Sequence, residues 1–167
     1  VLFDFGIHWF DILTCLMGQM EPRRVYATAT RSSGQLVRPP LLAQVLVEYD
    51  GAQASLVFDG DTRFAPLDIT YVTGTAGTFI SQGSSFRSQT VELTTKDGQF
   101  RPVLEGCWFP DGFHGTMGEL LCAIEEKRQP SINARENLRS LALCFAAVAS
   151  AESHKPVQPG SVRRLLK

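Results

Sequence analysis

The sequence lacks the features that define several classes of protein. Its four cysteines show neither a CxxC pair nor a zinc-finger spacing, so we expect free thiols in a reducing cytoplasm. No apolar run reaches the roughly 18 residues of a membrane span, and the apolar N-terminal segment contains acids but no basic start, unlike a signal peptide. A net charge of −1 without a basic stripe does not indicate nucleic-acid binding. The cysteines are Cys15, Cys107, Cys122 and Cys144, and the first and last of them lie in apolar helical patterns typical of a core.

What remains is the composition of an ordinary soluble domain. Hydrophobic residues make up 44% and charged residues 20% of the 167 residues, which is enough for a domain with a substantial core. The chain starts at Val1 inside a segment that already has the pattern of regular structure. We therefore interpret residues 1–167 as a single domain and as a fragment of a longer protein.

The pattern of elements predicts one helix, a run of strands and two further helices. Three hairpin signals, among them Asp50-Gly51, and connections too short for a crossover helix indicate an antiparallel meander. The predicted fold class is α+β, an open and mainly antiparallel β-sheet with helices packed on one face. The predicted helices are Gly6–Met17, one from an N-cap at Asp111 to about Lys127, and one opened by the capping pair Asn133 and Glu136. The predicted strands are Val25–Arg31, Leu42–Tyr49, Ala52–Phe58, Leu67–Thr73, Thr78–Ser81, Thr90–Lys96 and Gln99–Leu104.

Two surfaces follow from this arrangement. The first helix is apolar nearly all round, so we expect it to be buried on most sides. The sheet face opposite the helices carries enough Val, Leu and Phe that we expect a homodimer, or a higher oligomer, to form through it.

Asp4, His8 and Asp11 are the only acidic or basic side chains between Val1 and Gly18. At about 100° per residue they fall within roughly 60° of one another on a helix. Three interpretations stay open from this spacing: a divalent metal site, a general acid/base pair in which Asp4 orients or tunes His8, and purely structural roles.

The residues around this motif resemble the segment that opens the C-terminal domain of the Gfo/Idh/MocA oxidoreductases, a family that includes glucose–fructose oxidoreductase and inositol dehydrogenase. The likeness extends in order along nearly the whole chain. Its parts are D-F-G-I-H-W-F-D-I-L-T-C-L-M-G before Val25-Tyr26-Ala27, Asp68-Ile69 through Thr78, W-F-P-D-G-F-H-G-T-M-G-E-L-L-C-A-I-E-E, the region Pro130 to Asn133, and the ending that closes at Val157.

The resemblance implies a function and a site. A Rossmann domain upstream would bind NAD or NADP, and residues 1–167 would be a single substrate-binding and dimerisation domain that takes a sugar or polyol. Asp4 and His8 match the family's catalytic Asp and His, with His8 as general base, while Asp11 would brace the helix or the neighbouring strand. Further candidates for substrate binding are Arg63, Phe64, Trp108 and His114.

Two family elements are missing from the chain. No GxGxxG follows a strand, since Gly74-Thr75-Ala76-Gly77 reads as a hairpin turn, and the Glu-Lys-Pro motif is absent, since Glu126 to Pro130 lies at a helix end. We therefore expect no cofactor site in this chain and no activity of the chain alone. The alternatives are a non-catalytic binding or scaffold domain of the same fold, and a metal-dependent enzyme that uses Asp4, His8 and Asp11.

Overall fold

The computed structural model describes residues 1–85 and 88–164. Two compact units make up the chain: unit 1 contains Val1–Asp61 and the segment from Asn133 onward, and unit 2 contains Thr62–Ile132. The helices are α1 (Gly6–Met17), α2 (Phe113–Glu125), which follows an irregular turn at Trp108–Gly112, and α3 (Ala134–Ser153). The strands are β1 (Arg24–Thr30), β2 (Leu42–Glu48), β3 (Gln53–Asp59), β4 (Asp68–Thr73), β5 (Gly77–Ser85), β6 (Ser88–Thr95) and β7 (Gly98–Phe100).

Unit 1 is a three-stranded antiparallel sheet with the order β1-β2-β3, covered on one face by α3, against which α1 packs. The β2–β3 turn is the predicted Asp50-Gly51 hairpin, in which Gly51 has φ +72°, a conformation that glycine adopts without strain. Alternate residues of the strands point into the core, as a period of two requires. The residues buried on this face of β1 and β2 are Val25, Ala27, Ala43, Val45 and Val47.

The helices of unit 1 complete this core. Phe10 and Leu13 of α1 meet Leu143 and Ala147 of α3 in one apolar cluster that includes the sheet. Full burial of a large apolar side chain contributes about 1.5–3 kcal/mol. Helix α3 starts at the predicted cap, because the Asn133 side chain accepts hydrogen bonds from the Arg135 and Glu136 amides (both 3.1 Å).

The outer edge of β1 is closed by the C-terminal part of unit 1. Val25 and Val157 exchange two backbone hydrogen bonds, both 2.8 Å. The Oγ of Ser150, fully buried in α3, accepts a hydrogen bond from the Ala27 amide (2.9 Å) and donates one to the Lys155 carbonyl (2.7 Å). The outer edge of β1 is therefore hydrogen-bonded, although no further strand of the described residues lies beside it.

The long β1–β2 connection is organised by Gln35, whose side chain is buried. Its Nε2 donates to the carbonyls of Val37 (2.7 Å) and Pro39 (2.9 Å), and its Oε1 accepts from the amides of Ser32 (3.1 Å) and Leu41 (3.3 Å). The buried amide thus makes four hydrogen bonds to the backbone of its own loop.

Unit 2 contains the second antiparallel sheet, with the order β4-β5-β6-β7, and helix α2. Asp111 is not the N-cap that the sequence indicated, because α2 begins at Phe113 and the Asp111 Oδ2 accepts a hydrogen bond from the Cys107 amide (2.7 Å). The spacing of the apolar side chains of α2 predicts a stripe that faces a core, but this stripe is exposed: Phe113, Met117, Leu120, Leu121 and Ile124. Ala123 is the one buried residue of this helix. Periodicity identifies the apolar face of a helix but not what covers it.

The α+β class with antiparallel strands is confirmed. The strands of the described residues form two sheets, where a single sheet was expected. The expectation that residues 1–167 fold as one domain stays a prediction. None of the helices in the described part of the chain has the length and apolar content that a membrane crossing requires.

The four cysteines, all within the described residues, are free. Cys144 is a core residue as predicted, and burial raises the pKa of its thiol to about 11. The prediction was wrong for Cys15, which is exposed on α1.

Candidate functional site

Asp4 and His8 lie at the start of α1, and both are exposed. Asp4 belongs to the turn that precedes the helix, which the amides of Phe5 and Gly6 close by donating to the Val1 carbonyl (3.1 and 2.9 Å). The expectation of a helix buried on most sides is therefore wrong. Helix α1 has more apolar residues than unit 1 covers. The Asp4 carboxylate and the His8 imidazole lie on the side that unit 1 leaves exposed.

The exposed side of α1 combines His8 with apolar side chains. Phe5 is 44% and Leu16 is 45% exposed, whereas Phe10 and Leu13 on the other side are buried. A surface that presents an imidazole among apolar groups is suited to contact a partly apolar ligand.

An aromatic group connects this surface to the core. The Phe5 ring lies 4.4 Å from the Trp9 ring, and Trp9 meets the buried Phe58 edge-on at 6.4 Å (ring centroids). The His8 ring is edge-on to Trp9 at 6.4 Å. The start of α1 is therefore held by rings anchored in unit 1, with His8 at their margin.

Asp11 is half-buried and bonds to α3. Its Oδ1 accepts a hydrogen bond from the Ser140 Oγ at 2.6 Å. The Thr14 Oγ1 donates to the Asp11 carbonyl (2.8 Å) and lies 3.2 Å from the same Ser140 Oγ. These bonds support the structural role expected for Asp11, with helix α3 as the element that it braces.

Sequence reasoning missed Ser140 and its neighbour Arg139. The Arg139 Nη2 donates to the carbonyls of Gly18 (2.7 Å) and Met20 (3.4 Å), just beyond the end of α1. A signal did exist, since Ser140 and Ser150 lie on the same stripe of α3 as Leu143 and Ala147. A hydroxyl on a buried apolar stripe indicates a polar partner on the facing element.

The remaining predicted site residues lie in unit 2. Arg63 and Phe64 belong to the exposed connection between β3 and β4, and Phe64 is 88% exposed. Trp108 lies in the irregular turn that precedes α2, His114 lies in the first turn of α2, and both are exposed. The predicted residues thus form three exposed groups: Asp4 with His8, Arg63 with Phe64, and Trp108 with His114.

The segment around Trp108 is aromatic and contains a carboxylate. Trp108 stacks on Phe109 (6.2 Å between centroids, 11° between planes), and Phe109 lies 5.1 Å from Phe113. The hydrogen bond from the Cys107 amide lowers the pKa of Asp111, with a smaller contribution from the charge of His114. Stacked rings beside an ionised carboxylate offer both faces and acceptors to a hydroxylated ligand.

The metal and cofactor expectations can be tested on geometry. Across residues 1–85 and 88–164, no group of three His, Cys, Asp or Glu side chains is placed to hold a metal ion, so Asp4, His8 and Asp11 do not form the site that their spacing left open. The turn Gly74 to Gly77 joins two antiparallel strands rather than a strand to a helix N-terminus. This turn therefore differs from the strand-to-helix turn that receives a dinucleotide pyrophosphate, and the absence of a cofactor site stays a prediction.

The architecture is an α+β fold with two antiparallel sheets and three helices in the described residues. The family model described as the GFO/IDH/MocA C-terminal domain matches residues 1–80. The resemblance that the sequence motifs predicted is thus confirmed, and the fold is that of the C-terminal domain of Gfo/Idh/MocA oxidoreductases. No curated protein sequence matches the chain.

Solved structures show the same fold at low identity. An oxidoreductase from Agrobacterium radiobacter in complex with NAD+, L-tartaric acid and magnesium is 21% identical, with a TM-score of 0.78 over 96% of this chain and 49% of its own. The UDP-N-acetylglucosamine 3-dehydrogenase of Acidithiobacillus ferrooxidans is 19% identical, with a TM-score of 0.76 over 92% of this chain and 47% of its own. Aldose-aldose oxidoreductase from Caulobacter crescentus, complexed with glycerol, is 18% identical, with a TM-score of 0.75 over 94% and 47%. This chain spans about half the length of these relatives.

Proposed function

We propose that the chain is the substrate-binding domain of an NAD(P)-dependent oxidoreductase that acts on a sugar, a polyol or a related hydroxyl compound. The observation that carries this proposal is the exposed pair Asp4 and His8 at the start of α1, inside the segment that matches the family model. The structural relatives, which include a sugar-nucleotide dehydrogenase and an aldose-aldose oxidoreductase, support the substrate class.

In this proposal His8 is the general base. Its imidazole accepts the proton of the substrate hydroxyl, and Asp4 orients the ring for this transfer. The hydride acceptor, NAD or NADP, would be bound by a domain outside this chain. Because His8 is exposed here, that domain would also have to exclude water from the site.

Substrate binding is proposed for the exposed groups of unit 2. Arg63 offers donors to hydroxyl or carboxylate oxygens, and the Trp108 ring offers an apolar face. Phe64 and His114 complete the candidate set. Each of these roles is independent of the assignment of His8.

Self-association through the sheet of unit 1 is the proposed partner interaction. The face opposite α3 carries Tyr26, Leu46 and Val57, all exposed, and Tyr26 pairs with Leu46 across the strands. The same face carries the exposed ion pair between Arg24 and Glu48, so it is mixed rather than wholly apolar. An interface with an apolar centre and a polar rim has this composition.

Kinetics of the cofactor-binding protein that contains this chain test the proposal. His8→Ala should lower kcat by about 10²–10⁴-fold, the loss typical of a removed general base. Asp4→Asn should also slow turnover while leaving cofactor affinity nearly unchanged. The matched control is His154→Asn, which changes an exposed imidazole at the left-handed end of α3, where asparagine is tolerated. If His8→Ala keeps the kcat of the unaltered protein, the catalytic assignment is wrong and a scaffold role replaces it.

A further inference from the structure

The orientation of α1 is set by few directional bonds. Its N-terminus has no side-chain cap, and its buried side rests on apolar groups such as Phe10 and Leu13. Apolar contacts are not directional, so by themselves they permit small rotations of a helix about its axis. Directional restraint comes instead from polar bonds to α3.

Those bonds come from two successive residues. Arg139 holds the carbonyl of Gly18 at the end of α1, and Ser140 holds the Asp11 carboxylate in its middle. At 2.6 Å the Ser140–Asp11 bond has the length of a charge-assisted O–H···O⁻ bond, which is about twice as strong as a neutral one. The Thr14 Oγ1 lies 3.2 Å from the same hydroxyl and donates to the Asp11 backbone carbonyl.

A rotation that this network prevents would move His8. The radius of a helix with its side chains is about 5–6 Å, so a turn of about 10° displaces a side chain by roughly 1 Å. A displacement of about 1 Å at a reacting group can lower a rate by about 100-fold. Asp11 lies one turn from His8, so its anchor on α3 limits this rotation close to the imidazole.

We propose that Ser140 is a positioning residue for His8, acting through Asp11. The buried hydroxyl of α3 fixes the rotation of α1 and thereby the direction in which the imidazole is presented. The effect of Ser140 on catalysis rests on the proposed function of His8 as general base. The mechanical part, in which a serine of one helix sets the imidazole of another, can be measured without turnover.

Nuclear magnetic resonance of the His8 ring is the direct test, with the signal assigned by its loss in His8→Asn. Ser140→Ala should displace or broaden this signal. Ser150→Ala is the matched control, because it removes an equally buried hydroxyl from the same helix, but one bonded to β1 rather than to α1. Ser150→Ala should lower stability and leave the His8 signal in place. An unchanged His8 signal in folded Ser140→Ala overturns the proposal.

A double-mutant cycle tests the route through Asp11. In an Asp11→Ala background, Ser140→Ala should cause no further change in the His8 signal, because the bond that transmits its effect is already absent. Full additivity of the two changes would show that Ser140 acts by another path, and the proposal would fail.

Kinetics separates this proposal from the proposed function. In the cofactor-binding protein, Ser140→Ala should lower kcat about 10-fold with little change in the KM for substrate, as expected for a lost orienting partner. An unchanged kcat in Ser140→Ala, in a protein where His8→Ala abolishes turnover, overturns the catalytic consequence. If His8→Ala itself has no effect, the proposed function fails, while the resonance experiment still decides the mechanical part.

Discussion

The Ala27 amide on β1 donates a 2.9 Å hydrogen bond to the Ser150 hydroxyl on α3. Both residues are fully buried. Strand β1 is at the edge of its sheet, and this bond is made on the side of β1 that faces away from β2. A serine side chain thus takes the place that a neighbouring strand would otherwise fill.

Removal of this hydroxyl should destabilise unit 1. Ser150→Ala leaves the buried Ala27 amide without its partner, at a cost of about 1–3 kcal/mol in the free energy of unfolding. Ser153→Ala is the control, because Ser153 is exposed and its hydroxyl bonds only within its own helix, to Ala149. Urea denaturation of both variants measures the difference, and equal midpoints would contradict this account.

The stability of unit 1 should depend on the ability of the Gln35 side chain to donate hydrogen bonds. Gln35→Glu keeps the size of the side chain but cannot donate to the Val37 and Pro39 carbonyls. We expect a loss of about 1–3 kcal/mol, since the two carbonyls lose their donor and a carboxylate at the buried position 35 is placed beside them. Gln53→Glu, at an exposed position of β3, should change the melting temperature little. A Gln35→Glu variant as stable as that control would refute the role of the loop amide.

The end of α2 should lose order in acid. Hydrogen bonds from Arg128, and then from the Ser131 amide, lower the pKa of Glu119 from 4.5 to about 2. A carboxyl group with a lowered folded pKa stabilises fully above its unfolded pKa, and this contribution disappears as the pH falls from about 4.5 to 2.

Amide exchange of Ser131 measures this effect. The amide should be more protected at about pH 5 than near pH 2, relative to intrinsic exchange rates, because its acceptor is then ionised. Glu119→Gln should remove most of the pH dependence, whereas Glu125→Gln, a change at an exposed residue of the same helix, should preserve it. Identical profiles in the two variants would exclude the Arg128–Glu119 pair as the cause.

Association through the sheet face should depend on its apolar centre. Leu46→Glu places a charge between Tyr26 and the β3 strand and should shift a dimer to monomers in sedimentation at micromolar concentrations. Leu36→Glu makes the same change at a 97% exposed loop position outside this face and should leave association unchanged. A monomeric unaltered chain, or equal effects of the two changes, would contradict the proposed interface.

The chain alone should not bind the cofactor. No strand of the described residues leads into a helix through a G-x-G-x-x-G turn, so titration with NADH or NADPH should give no calorimetric signal. Stoichiometric tight binding would show that the division of labour between domains proposed here is wrong.

Local chemistry explains what the sequence predicted well. Helix α1 has the predicted bounds, Gly6–Met17, and α3 begins at the Asn133 cap because caps and glycines act within a few residues. The β2–β3 hairpin follows from Asp50-Gly51 for the same reason. Such features need no knowledge of the rest of the chain.

Long-range features were harder to predict. The exposure of Phe5 and Leu16 depends on what covers α1, and apolar character alone does not supply that information. The bonds of Ser140 and Ser150 join residues more than a hundred positions apart, so only the folded chain reveals their partners. The predicted catalytic pair, Asp4 and His8, was placed by family resemblance and its role stays a prediction, whereas the expectation that α1 is buried on most sides was wrong.

The two hydrogen bonds between Val25 and Val157 bear on aggregation of the protein. An uncovered strand edge is a template on which another chain can add, which is a common start of aggregation. Val157 occupies the β1 edge and so denies it to neighbouring molecules. A chain that ends before Val157 should leave the backbone amide and carbonyl of Val25 without these partners. It should precipitate more readily on storage, even where its core remains folded.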